Sequence, residues 1–165
     1  MKSIGSHPGA ILFRMSIMVI LIAILMVVFL FYVDKSQKNI ELASIFQTRK
    51  IINSSLVVMF ATYAARGRLD KLNDLDGANP FEILRGYQLL PATYVGEIEH
   101  DLNDRLTPGW YYLRHRRQVV YKPLYIEKKF RFELLLKYDD VDGSGHFHPE
   151  TDKFKGIYFV EVTSL

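Results

Sequence analysis

Apolar positions along this chain fall into three regimes. From residue 15 to residue 33 they are continuous, with Ser16 the single clearly polar side chain between Arg14 and Asp34. At ~1.5 Å of rise per helical residue this run covers roughly 28 Å, close to the ~30 Å hydrocarbon layer of a bilayer. A buried core helix would carry a polar stripe. A cleaved signal sequence would end in a small-residue site, whereas Asp34-Lys35-Ser36-Gln37 follows this run. The pattern predicts an uncleaved transmembrane helix over 15–33, preceded by a tail of residues 1–14.

From residue 34 the period changes. No proline or glycine occurs until Gly67, and Leu42, Ile45, Ile52, Leu56, Met59 and Tyr63 recur at three, four or seven positions, with Phe46 and Phe60 widening the stripe. This predicts an extended helix continuing beyond the membrane, in a segment of residues 34–76. Its apolar face is either the helix's seat on its own domain or a self-association seam. Gly77 can take a left-handed cap. Asn79-Pro80-Phe81-Glu82 then reads as an N-cap, a proline at the first helical position and an early carboxylate, so a short helix is expected over 81–85.

The third regime alternates. After a connector holding Pro91 and Pro108, "WYYLRHRRQVVYKP" gives two short runs around a polar turn. "KKFRFELLLKYD" sets Phe130, Phe132, Leu134 and Leu136 against Arg131, Glu133 and Lys137, and "KGIYFVEVTSL" supplies a final strand. The expected fold is α+β: a membrane helix running into a long helix, packed in pilin-like fashion on a sheet of about four antiparallel strands within residues 77–165.

Composition sharpens this picture in two places. The chain of 165 residues has a net charge of +3, and once Lys2 and Arg14 of the tail are set aside, 19 basic side chains face 18 acidic ones. A domain so near neutrality has no electrostatic grip for nucleic acid. With no cysteine, neither a disulfide framework nor a thiolate metal site is available.

A leader, a glycine and a long apolar helix are also the outline of a type IV pilin, which is cut after a glycine and carries an acidic residue at the fifth mature position. Cutting after Gly9 puts Arg14 there, cutting after Gly5 puts Ala10 there, and no Asp or Glu precedes Asp34. The outline is pilin-like, but the group that pairs subunits in a filament is missing.

Three stretches, "GANPFEILRGYQLLPATYVGE", "PGWYYLRHRRQVVYKP" and "FRFELLLKYDD", carry Asn79-Pro80, then Pro91, Tyr94, Gly96 and Glu97, then Pro108 to Tyr112. In this the chain resembles MshF-type accessory proteins of the mannose-sensitive haemagglutinin (MSHA) type IV pilus. The resemblance implies a single-pass inner-membrane protein with a cytoplasmic amino terminus and a periplasmic domain. It further implies that this protein assists pilus assembly through contacts with assembly proteins or minor pilins, and that it has no catalytic residues. Charge does not set this orientation: Lys35, Lys38, Arg49 and Lys50 outnumber Lys2 and Arg14, and the rule is weak for a long domain behind one span.

Candidate chemistry concentrates in "DDVDGSGHFHPETD". On the register of a calcium loop, Asp140, Asp142 and Ser144 take the first, third and fifth places, Gly145 the sharp turn and Phe147 the apolar place. The twelfth place is Thr151, with Glu150 one residue early and Asp152 one late. Calcium on Asp140, Asp142, Ser144 and Glu150 is one reading, and a polar hairpin turn is the other. His146 and His148 lie on one side of an extended segment as a two-imidazole pair without a clear third ligand.

Two further groups are candidate contact residues. Arg114, Arg116 and Arg117 form the one dense basic cluster, at a predicted turn, suited to an acidic partner, to lipid headgroups or to simple solvation. Trp110, Tyr111 and Tyr112 open a strand, with Trp110 and Tyr112 on one face and Tyr111 on the other. The sequence contains no nucleophile elbow, phosphate loop, zinc-protease helix or thiol, so no enzymatic site is expected.

Overall fold

The computed structural model describes residues 8–102 and 105–162. The first seven residues of the predicted tail and the last three of the predicted final strand lie outside the described residues. The chain forms two compact units, residues 1–40 and 41–165.

The first unit holds the apolar half of helix α1, which runs over Pro8–Ala65. It is the one helix among the described residues that is long and apolar enough to cross a membrane, and the most apolar window has no buried residue. Side chains from Leu12 to Tyr32 are exposed on every side.

The second unit begins at Glu41. Here the buried positions of α1 are Glu41, Ile45, Thr48, Ile52, Ser55, Leu56 and Met59, which recur every three or four residues along one face. That face seats against the sheet, so the stripe is used within the domain. Phe46, expected to widen it, is exposed, whereas Phe60 stacks on Phe154 with ring centroids 4.5 Å apart.

Helix α1 stops well short of residue 76, where the sequence reading had extended the segment. Gly67 adopts φ +63°, and two backbone bonds close the end: Gly67 N–H to Ala64 C=O at 3.1 Å and Arg68 N–H to Tyr63 C=O at 2.9 Å. A glycine cap of this kind terminates a helix because only glycine takes the left-handed turn without strain. A 3₁₀ segment, Leu69–Leu75, follows, burying Leu72 and Leu75. Helix α2, Pro80–Gly86, begins as expected, with Asn79 Oδ1 accepting from Phe81 N–H at 3.0 Å.

Among the described residues the sheet has five strands in sequential order: β1 Tyr94–Ile98, β2 Gly109–Leu113, β3 Gln118–Lys122, β4 Phe130–Asp139 and β5 Lys153–Glu161. The expectation of four antiparallel strands is therefore corrected to five in a mixed sheet, because β1 runs parallel to β2 while the other pairs are antiparallel. A parallel neighbour needs a crossover. The connection between β1 and β2 supplies it, with Leu102 and Leu106 packing on Tyr111, Leu113 and Val120. The other face carries Trp110, Tyr112, Val119, Tyr121, Phe132, Leu134 and Phe159, which pack with α1, Leu72, Phe81 and Leu84 in the main core.

Candidate functional site

The turn between β4 and β5 folds back on itself through its own acidic side chains. Asp140 accepts from Ser144 N–H at 3.1 Å and Gly145 N–H at 2.9 Å, and Asp142 accepts from Ser144 N–H at 2.9 Å. Gly143 and Gly145 have φ of +68° and +76°, conformations that side chains strain to reach. Asp152 closes the loop, with its two oxygens accepting from Val141 N–H at 3.0 Å and His148 N–H at 2.8 Å.

This closure brings Asp142, His148 and Asp152 together, each offering a ligand atom within 4.8 Å of the others. His148 Nδ1 lies 2.5 Å from Asp142 Oδ2, and Ser144 Oγ donates to His146 C=O at 3.0 Å. The Asp142 carboxyl is held well below its ordinary range, first by the His148 hydrogen bond and then by Ser144. His148 is raised by the same bond, with the charges of Asp142, Asp152 and Asp140 adding to it. An open cleft of about 620 Å³ adjoins the group, lined by Gly67, Asp70, Asp142, His148 and Glu150.

Of the four residues assigned to calcium by sequence, Asp142 stands in the convergent group and Ser144 beside it. Asp140 instead caps two backbone N–H groups, and Glu150 lines the cleft without joining the group. The carboxylate that closes the loop is Asp152, one residue past the twelfth position, and Glu150 stands outside the group. His148 enters through its ring, while His146 stays outside the group, its backbone carbonyl accepting from Ser144 Oγ. The convergent donor set is two carboxylates and one imidazole.

The basic cluster is occupied within the domain. Arg114 pairs with Glu97 and, at 3.3 Å, with Glu99; Arg116 reaches Asp101 at 2.8 Å; and Arg117 donates to the backbone carbonyl of Asp76. Glu97 also accepts from Asn79 Nδ2 at 2.9 Å, and this bond, followed by that from Arg114, lowers its carboxyl. These arginines, still exposed along part of their side chains, tie the β2–β3 turn to β1 and to the segment before α2.

Trp110, Tyr111 and Tyr112 are likewise inside. Trp110 packs among Phe81, Tyr121 and Phe132, with ring centroids 4.9–5.8 Å away. Tyr112 donates to Gly77 C=O at 2.7 Å, and Tyr111 is buried on the opposite face, donating to Thr107 C=O at 2.8 Å. The alternation was read correctly, but both faces of β2 are covered, so the three form no contact surface.

An exposed apolar surface does exist elsewhere in this unit. Ile51, Ser54 and Val58 of α1, with Tyr87 and Leu89 after α2, line an open groove of about 330 Å³ edged by Lys50. Comparison of the chain with family models, with curated proteins and with solved structures finds no match.

Proposed function

We propose that this chain is a bitopic inner-membrane accessory protein of an MSHA-like type IV pilus, with a pilin-like domain on the periplasmic side, acting through protein–protein contact and not catalysis. The observation that carries this reading is the two-faced use of α1 beyond residue 41. One face is consumed by the sheet, and the other opens an apolar groove between Ile51, Val58, Tyr87 and Leu89. Grooves lined by aliphatic and aromatic side chains suit a helical partner segment. The motifs shared with the accessory family supply the pilus context, and the missing acidic residue of the apolar helix supports a role beside the filament instead of within it.

The test is complementation of piliation in cells lacking the protein. Val58→Glu and Tyr87→Glu, both at exposed positions, are expected to lose surface pili while the protein stays folded and membrane-bound. Exchange of residues 15–33 for an unrelated span is expected to retain them. Full piliation with both glutamate variants, combined with loss on the span exchange alone, would reverse the assignment.

A second reading, a calcium-responsive tethered domain, is favoured by the convergence of Asp142, His148 and Asp152. Titration calorimetry of the full chain in detergent separates it from the first. Heat and a raised Tm at millimolar calcium, both lost in Asp142→Asn, are expected if the loop is a sensor; a flat titration of the unaltered protein removes the reading.

A further inference from the structure

We infer that Asp142, His148 and Asp152 form a binding site for a divalent transition metal of the zinc class, held by two carboxylates and one imidazole, with a coordination position left open to the adjoining cleft. The inference rests on the convergence that favours the second reading above and assigns that place in the fold a different ion.

The imidazole is what separates this group from an acidic patch. Its three donors lie within 4.8 Å of one another, and one of them is a nitrogen. Zinc, nickel and copper accept imidazole readily, whereas calcium takes six to eight oxygen ligands. Asp140 and Glu150, which would have to supply further oxygens, stand outside the group. The loop therefore gathers too few oxygens for calcium and presents the nitrogen that a softer ion prefers. Three protein donors with a free position is the ligand count of an open zinc site. Asp142 and His148 both line the cleft, so the free position faces a space that water or a further ligand can enter.

The donor atoms are held in place and still have capacity. Asp142 accepts one main-chain N–H, from Ser144, and Asp152 accepts two, from Val141 and His148. A carboxylate has about four lone-pair sites, so each keeps one for a metal. His148 Nδ1 lies 2.5 Å from Asp142 Oδ2, the spacing of two groups that share a proton. A metal ion takes the place of that proton and releases it. Bonds of ~2.0 Å at tetrahedral angles set neighbouring ligand atoms about 3.3 Å apart, so the pair opens by roughly 0.8 Å. Both side chains reach solvent, and a small rotation of each provides this. Asp70 and Glu150, on the walls of the same cleft, add negative potential that draws a cation in.

The test is equilibrium dialysis of the full chain in detergent, free of any affinity tag, against zinc and against calcium, with the bound metal measured by elemental analysis. The chain has no cysteine, so no thiolate competes for the ion. One zinc ion per chain is expected at micromolar concentration, undisplaced by millimolar calcium. Affinity is expected to fall roughly tenfold or more in Asp142→Asn and in His148→Ala, and to stay native in His146→Ala. Circular dichroism checks that each variant is folded, and His148→Gln, which keeps a polar side chain, is expected to repeat the loss. Zinc bound equally well by His148→Ala and His148→Gln would be an adventitious ion only and overturns the site. Calcium bound without zinc overturns this inference and leaves the calcium reading standing. Zinc bound without calcium, and lost with His148, supports the inference and removes the calcium reading, while a chain that takes up neither ion removes both.

Discussion

Asn73 holds Phe147 by both of its main-chain groups: Asn73 Oδ1 accepts from Phe147 N–H and Asn73 Nδ2 donates to Phe147 C=O, each at 2.8 Å. One side-chain amide thereby replaces a strand partner for the middle of the β4–β5 turn. The Phe147 ring is driven into the core beside Tyr138 and Phe154, with centroids 5.6 and 5.9 Å away. The acidic turn is thus a fixed structure, hung from the 3₁₀ segment across 74 positions of sequence.

Asn73→Ala removes both bonds and leaves a partly buried donor and acceptor, an expected loss of about 1–3 kcal/mol. Chemical denaturation measures this loss. Hydrogen exchange is expected to show the increase in opening concentrated at residues 140–152; a uniform increase across the sheet would mean that Asn73 supports the whole domain and not the turn.

The His148–Asp142 pair gives the turn a pH window. His148 is raised above 6.5 in the folded state, so its contribution is complete below 6.5 and disappears as pH climbs through the raised value. Asp142 is depressed below 3.8, so its contribution is present above 3.8 and disappears as pH falls through the lowered value. Both are in force between pH 3.8 and 6.5. NMR titration of the His148 ring is expected to give a midpoint above 6.5 that drops in Asp142→Asn. An unmoved midpoint would remove the pair from the account.

Much of this fold was legible because it is local. The stripe of α1, the Asn79-Pro80 start of α2 and the alternation of β4 are each decided by residues within a few positions of one another. Strand β1 was missed for two physical reasons: Pro91 and Gly96 give its surroundings the composition of a connector, and its parallel partner lies across a crossover that no local pattern encodes. Of the acidic turn, Asp140, Asp142, Ser144 and Gly145 were visible as a local turn sequence. Asp152 and Asn73 were not, because their roles depend on how the turn closes and on what it lands against. Glu41 did leave a signal, since it stands four positions before Ile45 on the apolar face, where an acid demands a partner. For the arginine cluster, adjacency revealed the charge but not its partners Glu97, Glu99 and Asp101 across the sheet edge.

Gly109 is where β1 and β2 come closest. Its φ is +147°, and a Cβ there would stand 2.5 Å from Thr93 C=O and 2.7 Å from Val95 Cγ2. Trp110 N–H donates to that same Thr93 carbonyl at 2.8 Å, so the backbone cannot yield without giving up the bond that starts the parallel pairing. Gly109→Ala is expected to cost about 1–3 kcal/mol in strain and pairing. Faster hydrogen exchange confined to Tyr94–Ile98 and the start of β2 is the expected signature, and an unchanged melting curve would refute it.

The last expectation concerns the Glu41 clamp. Three donors, Tyr121 O–H and the Leu124 and Tyr125 N–H groups of the β3–β4 turn, converge on this one buried carboxylate, and burial together with the Glu41 charge pushes the Tyr121 phenol above its ordinary value. Hydrogen bonds to a charged acceptor are stronger than neutral ones, and deleting the acceptor strands the donors; Glu41→Ala is therefore expected to destabilise the domain by about 2–4 kcal/mol. Glu41→Gln separates acceptance from charge. Its Oε1 can still serve Tyr121 and Leu124, but its amide group meets the Tyr125 N–H donor to donor, so it should fall between alanine and the native residue. Denaturant titration of the three proteins gives the order, and exchange at the Leu124 and Tyr125 amides shows whether the turn has come loose. If Gln were no better than Ala, the carboxylate's second oxygen would be the essential one, and if Ala were neutral, the turn would be held by packing of Ile126 and Phe130 alone.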